Sequence, residues 1–187
     1  MASCSWSPRL LPLLLLPIFI LSISTATFGL PSATNGASTD NASLERISPA
    51  ATVSQFVAAH NAARRQVGVP PLSWDPKLAK VAKAYAARRR RDCRLVHSPG
   101  FAYGENIFWG AGRRWSTTDV VAAWVGEKQW YDYKTNSCSG PDCTHYTQVV
   151  WRTTERLGCA RILCDTGDTF AACEYHPPGN YVGVRPY

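Results

Sequence analysis

Seven cysteines constrain this 187-residue chain more than any other feature of its sequence. Cys4 lies near the amino terminus, and the other six lie from residue 93 onward: Cys93, Cys138, Cys143, Cys159, Cys164 and Cys173. An even set in an oxidising compartment predicts three disulfides, for which the sequence alone allows 15 pairings. A zinc site is the alternative, but Cys138/Cys143 and Cys159/Cys164 lack the close C-x-x-C spacing that closed zinc sites usually use.

The amino terminus indicates the compartment. Arg9 precedes a leucine-rich apolar run over residues 10–23, and small polar residues follow as far as Ala26. This order is typical of a secretory signal peptide, so we expect residues 1–26 to be cleaved off and the protein to be extracellular. An uncleaved membrane anchor is the alternative, but prolines interrupt the run, and it is shorter than the roughly 20 apolar residues that a spanning helix needs.

The segment after the signal peptide has a different composition from the rest of the chain. Residues 27–50 are rich in Ser, Thr, Ala, Asn and Pro, so they bury too little apolar surface to offset chain entropy, and we expect a flexible leader. Asn41 begins an Asn-Ala-Ser sequon in this leader and is a candidate glycosylation site. Residues 51–187 are numerous enough for one domain with an apolar core.

The formal net charge is +7, and Arg88–Arg91 is the densest basic cluster. A basic secreted protein is attracted to anionic surfaces such as membranes, phospholipids or acidic wall polysaccharide. Nucleic acid is the other partner that an arginine run suggests, but the extracellular compartment argues against it. A solvated helix end, favourable to the helix dipole, is the remaining interpretation.

Apolar residues recur at helical spacing in three segments. They predict a first helix over residues 54–67, a second that begins at Asp75-Pro76 and ends near residue 92, and a third that begins near residue 118 with Trp124 as its core anchor.

The remaining segments are interpreted as loops and strands. Glycines interleaved with aromatic residues predict irregular structure over residues 93–118, and residues 131–144 form a loop pinched by its own cysteines. Two alternating runs, 157–164 and 169–175, are joined by a turn-forming tetrapeptide and predict a β-hairpin. Together these elements predict an α+β fold with helices packed on an antiparallel sheet.

Four ionisable residues beside loops and element ends, His97, Glu105, Glu127 and His145, are candidates for a site. Their spacing alone is a weak signal, because no two of them lie four residues apart on one helix. The sequence around them is more specific. The motifs are Tyr103-Gly104-Glu105-Asn106, His145-Tyr146-Thr147-Gln148, Leu157-Gly158-Cys159-Ala160 and Pro177-Pro178-Gly179-Asn180-Tyr181. Together they resemble the CAP superfamily, and particularly the plant pathogenesis-related proteins of the first class, over about residues 53–187.

The resemblance implies an α-β-α sandwich of three to four helices on an antiparallel sheet. It also implies three disulfides, which pair Cys93 with Cys164, Cys138 with Cys143, and Cys159 with Cys173. In this family the two histidines and two glutamates line a surface cleft, and His97 and His145 can hold a divalent metal, often zinc. We expect no required cofactor. A neutral imidazole is a good zinc ligand, and a carboxylate can fix its tautomer, but such His–Glu pairs can equally serve only to tie loops to the sheet.

Some family members bind sterols through the loop before the His145 motif. Here that loop begins with aromatic residues, so Trp130, Tyr131 and Tyr133 are the candidate sterol-binding residues. Trp130 can instead end the third helix in the core. The chain also departs from the common plant pattern at Glu174, where relatives often have Asn.

The resemblance therefore implies a non-catalytic, monomeric defence protein of the apoplast. It would act on fungi or oomycetes by binding sterols or other lipids of microbial membranes, with residues 177–187 as the precursor of a signalling peptide. One alternative is a hydrolase that uses Glu105 and Glu127 as an acid–base pair or zinc to activate water. The other is a basic protein that adheres to the cell wall.

Overall fold

The computed structural model describes residues 48–100 and 102–187. The expected signal peptide (1–26), Asn41 and most of the expected leader lie outside these residues. The helices in the described part of the chain are α1 Pro49–Gln66, α2 Pro76–Arg89, α3 Thr117–Gly126 and α4 Thr144–Val149, and a 3₁₀ helix, Glu127–Trp130, follows α3. None of these described helices is long and apolar enough to cross a membrane.

A four-stranded sheet lies at the centre of the domain, in the order β1-β5-β6-β2. Its strands are β1 Ser73–Trp74, β2 Gly104–Gly110, β5 Arg156–Leu163 and β6 Thr169–His176, while β3 Tyr131–Asp132 and β4 Ser137–Cys138 form a separate pair. Strands β5 and β6 confirm the predicted hairpin. The sheet is mixed rather than antiparallel, because the short β1, which leads into α2, pairs in parallel with β5.

Alternating residues of β2 and β6 face two different layers, as the two-residue period of a strand requires. On one face, α2 packs against Ile107, Phe170 and Ala172. On the other face, α1, α3 and α4 pack against Phe108 and Ala171. The fold is therefore an α-β-α sandwich of the α+β class. Three disulfides join Cys93 to Cys164, Cys138 to Cys143, and Cys159 to Cys173, the pairs that the resemblance implies.

The prediction of irregular structure over residues 93–118 is wrong at β2. The glycines at the two ends of this strand allow close packing instead of breaking the strand. A Cβ at Gly104 would lie 2.1 Å from Gln148 Oε1, and a Cβ at Gly110 would lie 2.5 Å from Trp115 Nε1. The absence of a side chain lets these neighbours reach the strand.

The predicted helix ends also need correction. Helix α1 begins at Pro49 rather than residue 54, because the Ser48 hydroxyl caps it by accepting from Ala51 N at 3.1 Å. The last residues of the expected leader are thus helical. Helix α2 begins after Asp75 as predicted, but it ends at Arg89, shortly before the chain adopts a left-handed conformation at Cys93 (φ 50°).

Arg64 of α1 is fully buried, and carbonyl groups surround its guanidinium. Burial lowers the pKa of Arg64 to about 10, so the side chain stays charged at neutral pH. Its N–H groups donate to the main-chain oxygens of Pro70 at 2.6 Å, Val149 at 3.0 Å, Trp151 at 2.8 Å and Thr154 at 3.0 Å. One side chain therefore fixes α1 against the end of α4 and the segment that follows it.

A second set of buried polar side chains, linked by hydrogen bonds, connects α1, β6, β2 and α4. His60 Nδ1 lies 2.8 Å from Phe56 O, which can only accept, so Nδ1 donates and Nε2 accepts. The Tyr175 hydroxyl must therefore donate to His60 Nε2, at 2.8 Å. Asn106 Nδ2 donates both to that hydroxyl, at 3.2 Å, and to the main-chain oxygen of His145, at 3.0 Å. In this set of hydrogen bonds, the acceptor of each bond therefore determines which group donates the proton.

We predict that Arg64→Leu destabilises the domain by at least about 3 kcal/mol, because four buried or half-buried carbonyl groups lose their donor. Urea unfolding measures the change. Arg65→Leu, at the neighbouring exposed position, is the matched control and should cost less than about 1 kcal/mol. Similar losses in the two variants would contradict the structural role of Arg64.

Protonation of His60 should also destabilise the fold. Burial lowers the pKa of His60 from 6.5 to about 4, so the unfolded chain binds the proton more readily. The contribution of neutral His60 is complete above pH 6.5 and is lost as the pH falls towards 4. The difference in unfolding free energy between the wild type and His60→Gln should therefore shrink by about 3 kcal/mol from pH 7 to pH 4. A difference that is independent of pH would contradict this assignment.

Candidate functional site

His97 and Glu105 form the first of two histidine–glutamate pairs. His97 lies in the segment between α2 and β2, and Glu105 lies in β2. His97 Nδ1 is 2.6 Å from Glu105 Oε1, which also accepts from Ser98 N at 2.9 Å. The hydrogen bond to Glu105 raises the pKa of His97 in spite of partial burial. Burial raises the pKa of Glu105, but the bonds from His97 and Ser98 outweigh it and hold the pKa below its ordinary value.

His145 and Glu127 form the second pair. His145 lies in the first turn of α4, and Glu127 begins the 3₁₀ helix. His145 Nδ1 is 2.6 Å from Glu127 Oε1, and Tyr146 N donates to Glu127 Oε2 at 3.0 Å. The imidazole also stacks on Trp124, with ring centres 6.2 Å apart and an interplanar angle of 11°. Both the orientation and the tautomer of His145 are therefore fixed.

Asn106 brings the two pairs into one region. It follows Glu105 in β2 and donates to the main-chain oxygen of His145. Asp142 lies near both pairs, because its Oδ2 is 3.6 Å from His145 Nδ1 and its charge contributes to the raised pKa of His97. The sequence predicted all four members of the two pairs as one cleft, but it did not single out Asp142.

The imidazole nitrogens determine what the cleft can hold. Each histidine donates Nδ1–H to its glutamate, and among the described residues neither Nε2 has a hydrogen-bond partner. This arrangement resembles a metal-ligating histidine oriented by a carboxylate. Glu127, Asp142 and His145 also offer ligand atoms within 4.8 Å of one another. His97 is not in that group, so a metal held by both histidines would involve a different set of ligands.

The predicted sterol loop surrounds the β3–β4 pair. Tyr131 packs at the edge of the core, donates to Asn136 Oδ1 at 2.6 Å, and lines a pocket of about 340 Å³. Trp130 packs against Gly140, where a Cβ would lie 2.3 Å from the indole ring. Tyr133 is 40% exposed and stacks on Tyr187 with ring centres 4.5 Å apart. The three candidate residues therefore have three different environments, and Tyr131 is the one at the pocket.

The carboxyl-terminal segment forms the opposite wall of this pocket, which sequence reasoning missed. Trp151, Tyr181, Val184 and Pro186 line it together with the Cys138–Cys143 disulfide. Arg152 N donates to Pro186 O at 2.7 Å, which holds the segment on the domain. Aromatic and apolar residues near the end of the chain were the available signal, but no periodicity indicated where they fold back.

Glu174 was noted in the sequence as a departure from the common plant pattern, and the structure places it directly opposite Glu105 in the β2–β6 register. It is only 2% exposed. Burial and repulsion by Glu105 raise the pKa of Glu174 to about 8. Two carboxyl groups therefore share one buried position beside His97.

Comparison with known proteins agrees with this architecture. The model of the CAP family, described as the cysteine-rich secretory protein family, matches residues 57–175. The chain is 54% identical to pathogenesis-related protein PRMS of Zea mays over 135 residues, which are 71% of this chain and 80% of that protein. It is 55% identical to pathogenesis-related protein PR-1 of Medicago truncatula over 135 residues, which cover 71% and 78%.

Solved structures show the same fold. Venom allergen-like protein 4 of Schistosoma mansoni superposes with a TM-score of 0.58 and 28% identity, over 73% of this chain and 93% of that one. BmVAL-1 superposes with a TM-score of 0.62 and 21% identity, over 76% and 84%. The chain therefore belongs to the CAP family of cysteine-rich secretory proteins and is similar over most of its length to plant pathogenesis-related protein 1.

Proposed function

We propose that this protein is a secreted, non-enzymatic plant defence protein whose aromatic loop binds sterols or related lipids of fungi and oomycetes. The identity to pathogenesis-related proteins supports a defence role. The cysteines, all paired in the described residues, are consistent with an oxidising extracellular compartment such as the apoplast. We further propose that the protein acts as a monomer.

The observation that carries the lipid proposal is the pocket beside Tyr131. Its volume, about 340 Å³, lies within the range of small-molecule sites, and aromatic and aliphatic side chains form part of its wall. The Cys138–Cys143 disulfide constrains the loop, so that the tyrosine ring does not have to be ordered on binding. Burying a few hundred Å² of apolar surface would contribute several kcal/mol at about 25 cal/mol/Å², before the cost of association.

The carboxyl-terminal segment has a place in this proposal. Residues 177–187 would be the precursor of a signalling peptide, and they also cover part of the aromatic loop. Arg185 donates to the main-chain oxygens of Tyr133 and Lys134, at 3.0 and 2.7 Å. Release of this segment would remove the stacked Tyr187 from Tyr133 and open the pocket on one side.

A metal at the cleft is a separate part of the proposal. His97 and His145 would bind zinc through Nε2, because Glu105 and Glu127 already occupy Nδ1 of each ring. Bound zinc would act as a Lewis acid and hold the two pairs together. We expect it to be optional, since the hydrogen bond between histidine and glutamate in each pair forms without it.

Anionic surfaces are the proposed partners of the arginine run. Arg89 pairs with Asp92 at 3.3 Å and Arg90 with Asp165 at 3.6 Å. Arg88 and Arg91 have no ion-pair partner among the described residues, so their charge is available to lipid headgroups or acidic polysaccharide. This attraction would concentrate the protein at a microbial surface before lipid capture.

We predict saturable binding of radiolabelled cholesterol or ergosterol that Tyr131→Ala reduces at least about tenfold, since a ring wall of the pocket is lost. The double variant Cys138→Ser/Cys143→Ser should also bind more weakly, and a metal chelator should have no effect. Tyr103→Ala removes an exposed tyrosine distant in sequence from the pocket and is the matched control. Wild-type protein that shows no saturable binding to either sterol would refute sterol capture.

We also predict that zinc binding requires both His97 and His145 and weakens as the pH falls, because imidazole ligates through a neutral nitrogen. Titration calorimetry of the wild type, His97→Ala and His145→Ala measures this, with His176→Ala as the control. Undiminished affinity in His97→Ala, together with loss in His145→Ala, would instead assign the metal to the group of Glu127, Asp142 and His145. Equal affinity in every variant would exclude both sites.

A further inference from the structure

Glu174 forms a buried carboxyl pair with Glu105, and the preceding proposals give Glu174 no role. They are register partners on neighbouring antiparallel strands, which places their side chains on the same face of the sheet. Glu174 takes part in none of the ion pairs of the described residues. Two like charges in this position destabilise the sheet unless a positive group or a proton lies between them.

Each carboxyl group of this pair has a buried oxygen without a hydrogen-bond partner among the described residues. Glu105 Oε1 accepts from His97 and Ser98, but Glu105 Oε2 and Glu174 Oε1 are buried and have no hydrogen-bond partner within the described part of the chain. A buried carboxylate oxygen without a donor costs free energy. Burial and Glu105 raise the pKa of Glu174 to about 8, so near neutral pH a proton is shared by the pair, and a cationic donor that displaces this proton would use one oxygen from each strand.

A pocket of about 360 Å³ lies against this pair. Glu105, Glu174 and His97 contribute its polar lining, while Val81, Pro99 and Tyr103 contribute apolar and aromatic walls. Val81 and Tyr103 are 38% and 37% exposed, so they form an apolar mouth. A ligand that fits needs a positive head with several N–H donors and an apolar stem.

We propose that this pocket binds the primary ammonium group of an aliphatic amine, such as a free alkylamine or a lysine side chain. The ammonium donates to Glu105 Oε2 and Glu174 Oε1, and its alkyl chain lies between Val81 and Pro99, beside the ring of Tyr103. This proposal does not rest on sterol binding or on bound zinc, although Glu105 also accepts from His97. It depends on Glu174, one of the positions noted in the sequence as a departure from the common plant pattern.

A metal ion fits this position less well than an ammonium group. Among the described residues, three metal-binding side chains bring their ligand atoms within 4.8 Å of one another only at Glu127, Asp142 and His145. Glu105 and Glu174 supply two free oxygens, whereas a calcium site needs six to eight ligands. An ammonium group needs only a few acceptors and gains from the apolar walls.

Titration of the full-length protein with n-pentylamine, monitored by calorimetry or NMR, tests the proposal. We expect saturable binding that Glu174→Gln weakens at least about tenfold, through loss of a charge-assisted hydrogen bond. Glu155→Gln removes an exposed carboxylate and should leave binding unchanged. The neutral isostere 1-pentanol, which has the same alkyl chain, should bind at least about tenfold more weakly than the amine.

The outcomes separate the explanations. Equal binding of pentylamine and pentanol would show an apolar pocket only, and equal binding by the wild type and Glu174→Gln would show attraction to another acidic group. Absence of saturable binding would show that the carboxyl pair holds only a proton. Each of these results would overturn the proposal. Glu174→Asn is a second neutral variant that guards against an effect of misfolding in the first.

Discussion

The hydrogen bond from Asn106 to the main-chain oxygen of His145 joins the sheet to the helix that carries the second half of the cleft. Its donor group is fixed by the Tyr175 hydroxyl, which is fixed in turn by His60. Each of these buried groups has one defined role as donor or acceptor. The network therefore fixes the positions of α1, β2, β6 and α4 relative to one another. The core network thus joins the strand that carries Glu105 to the helix that carries His145.

The pocket beside Tyr131 is built differently from the cleft. It lies between a short hairpin loop and the last residues of the chain, and a disulfide with a separation of five residues constrains the loop. Asp142 belongs to both places, since it lines the pocket and lies 3.6 Å from His145. The two places are therefore neighbours that share Asp142, while Tyr131 and Tyr181 belong to the pocket alone.

The sequence predicted the parts of the fold that depend on local signals. The cap and first-turn proline of α2 and the turn of the β5–β6 hairpin act within a few residues of the chain, and helical periodicity places Trp124 on the buried face of α3. Strand β2 was missed because its glycines indicate a loop locally, whereas their reason is tertiary: Gln148 and Trp115 occupy the space that a side chain would fill. Ser48 was missed for a simpler reason, since the polar segment before it concealed the cap.

The residues of the candidate site likewise fall into those that sequence motifs identify and those whose roles only the tertiary structure shows. His97, Glu105, Glu127 and His145 were found through motifs that resemble a known family, because their spacing carries little information. The roles of Asn106, Asp142 and Glu174 required the register of β2 with β6 and the position of α4. Contacts between residues far apart in the chain cannot be read from periodicity, and these contacts determine which polar groups are satisfied.

The central claim is that lipid is captured by the aromatic loop and not by the cleft. Photo-crosslinking with a diazirine-bearing sterol in the presence of a metal chelator, followed by mass spectrometry of the peptides, tests it most directly. We expect the label to lie on Trp130, Tyr131 or Tyr133, or on the facing segment near Tyr181 and Val184. Labelling confined to the residues around His97 and Glu105 would contradict it.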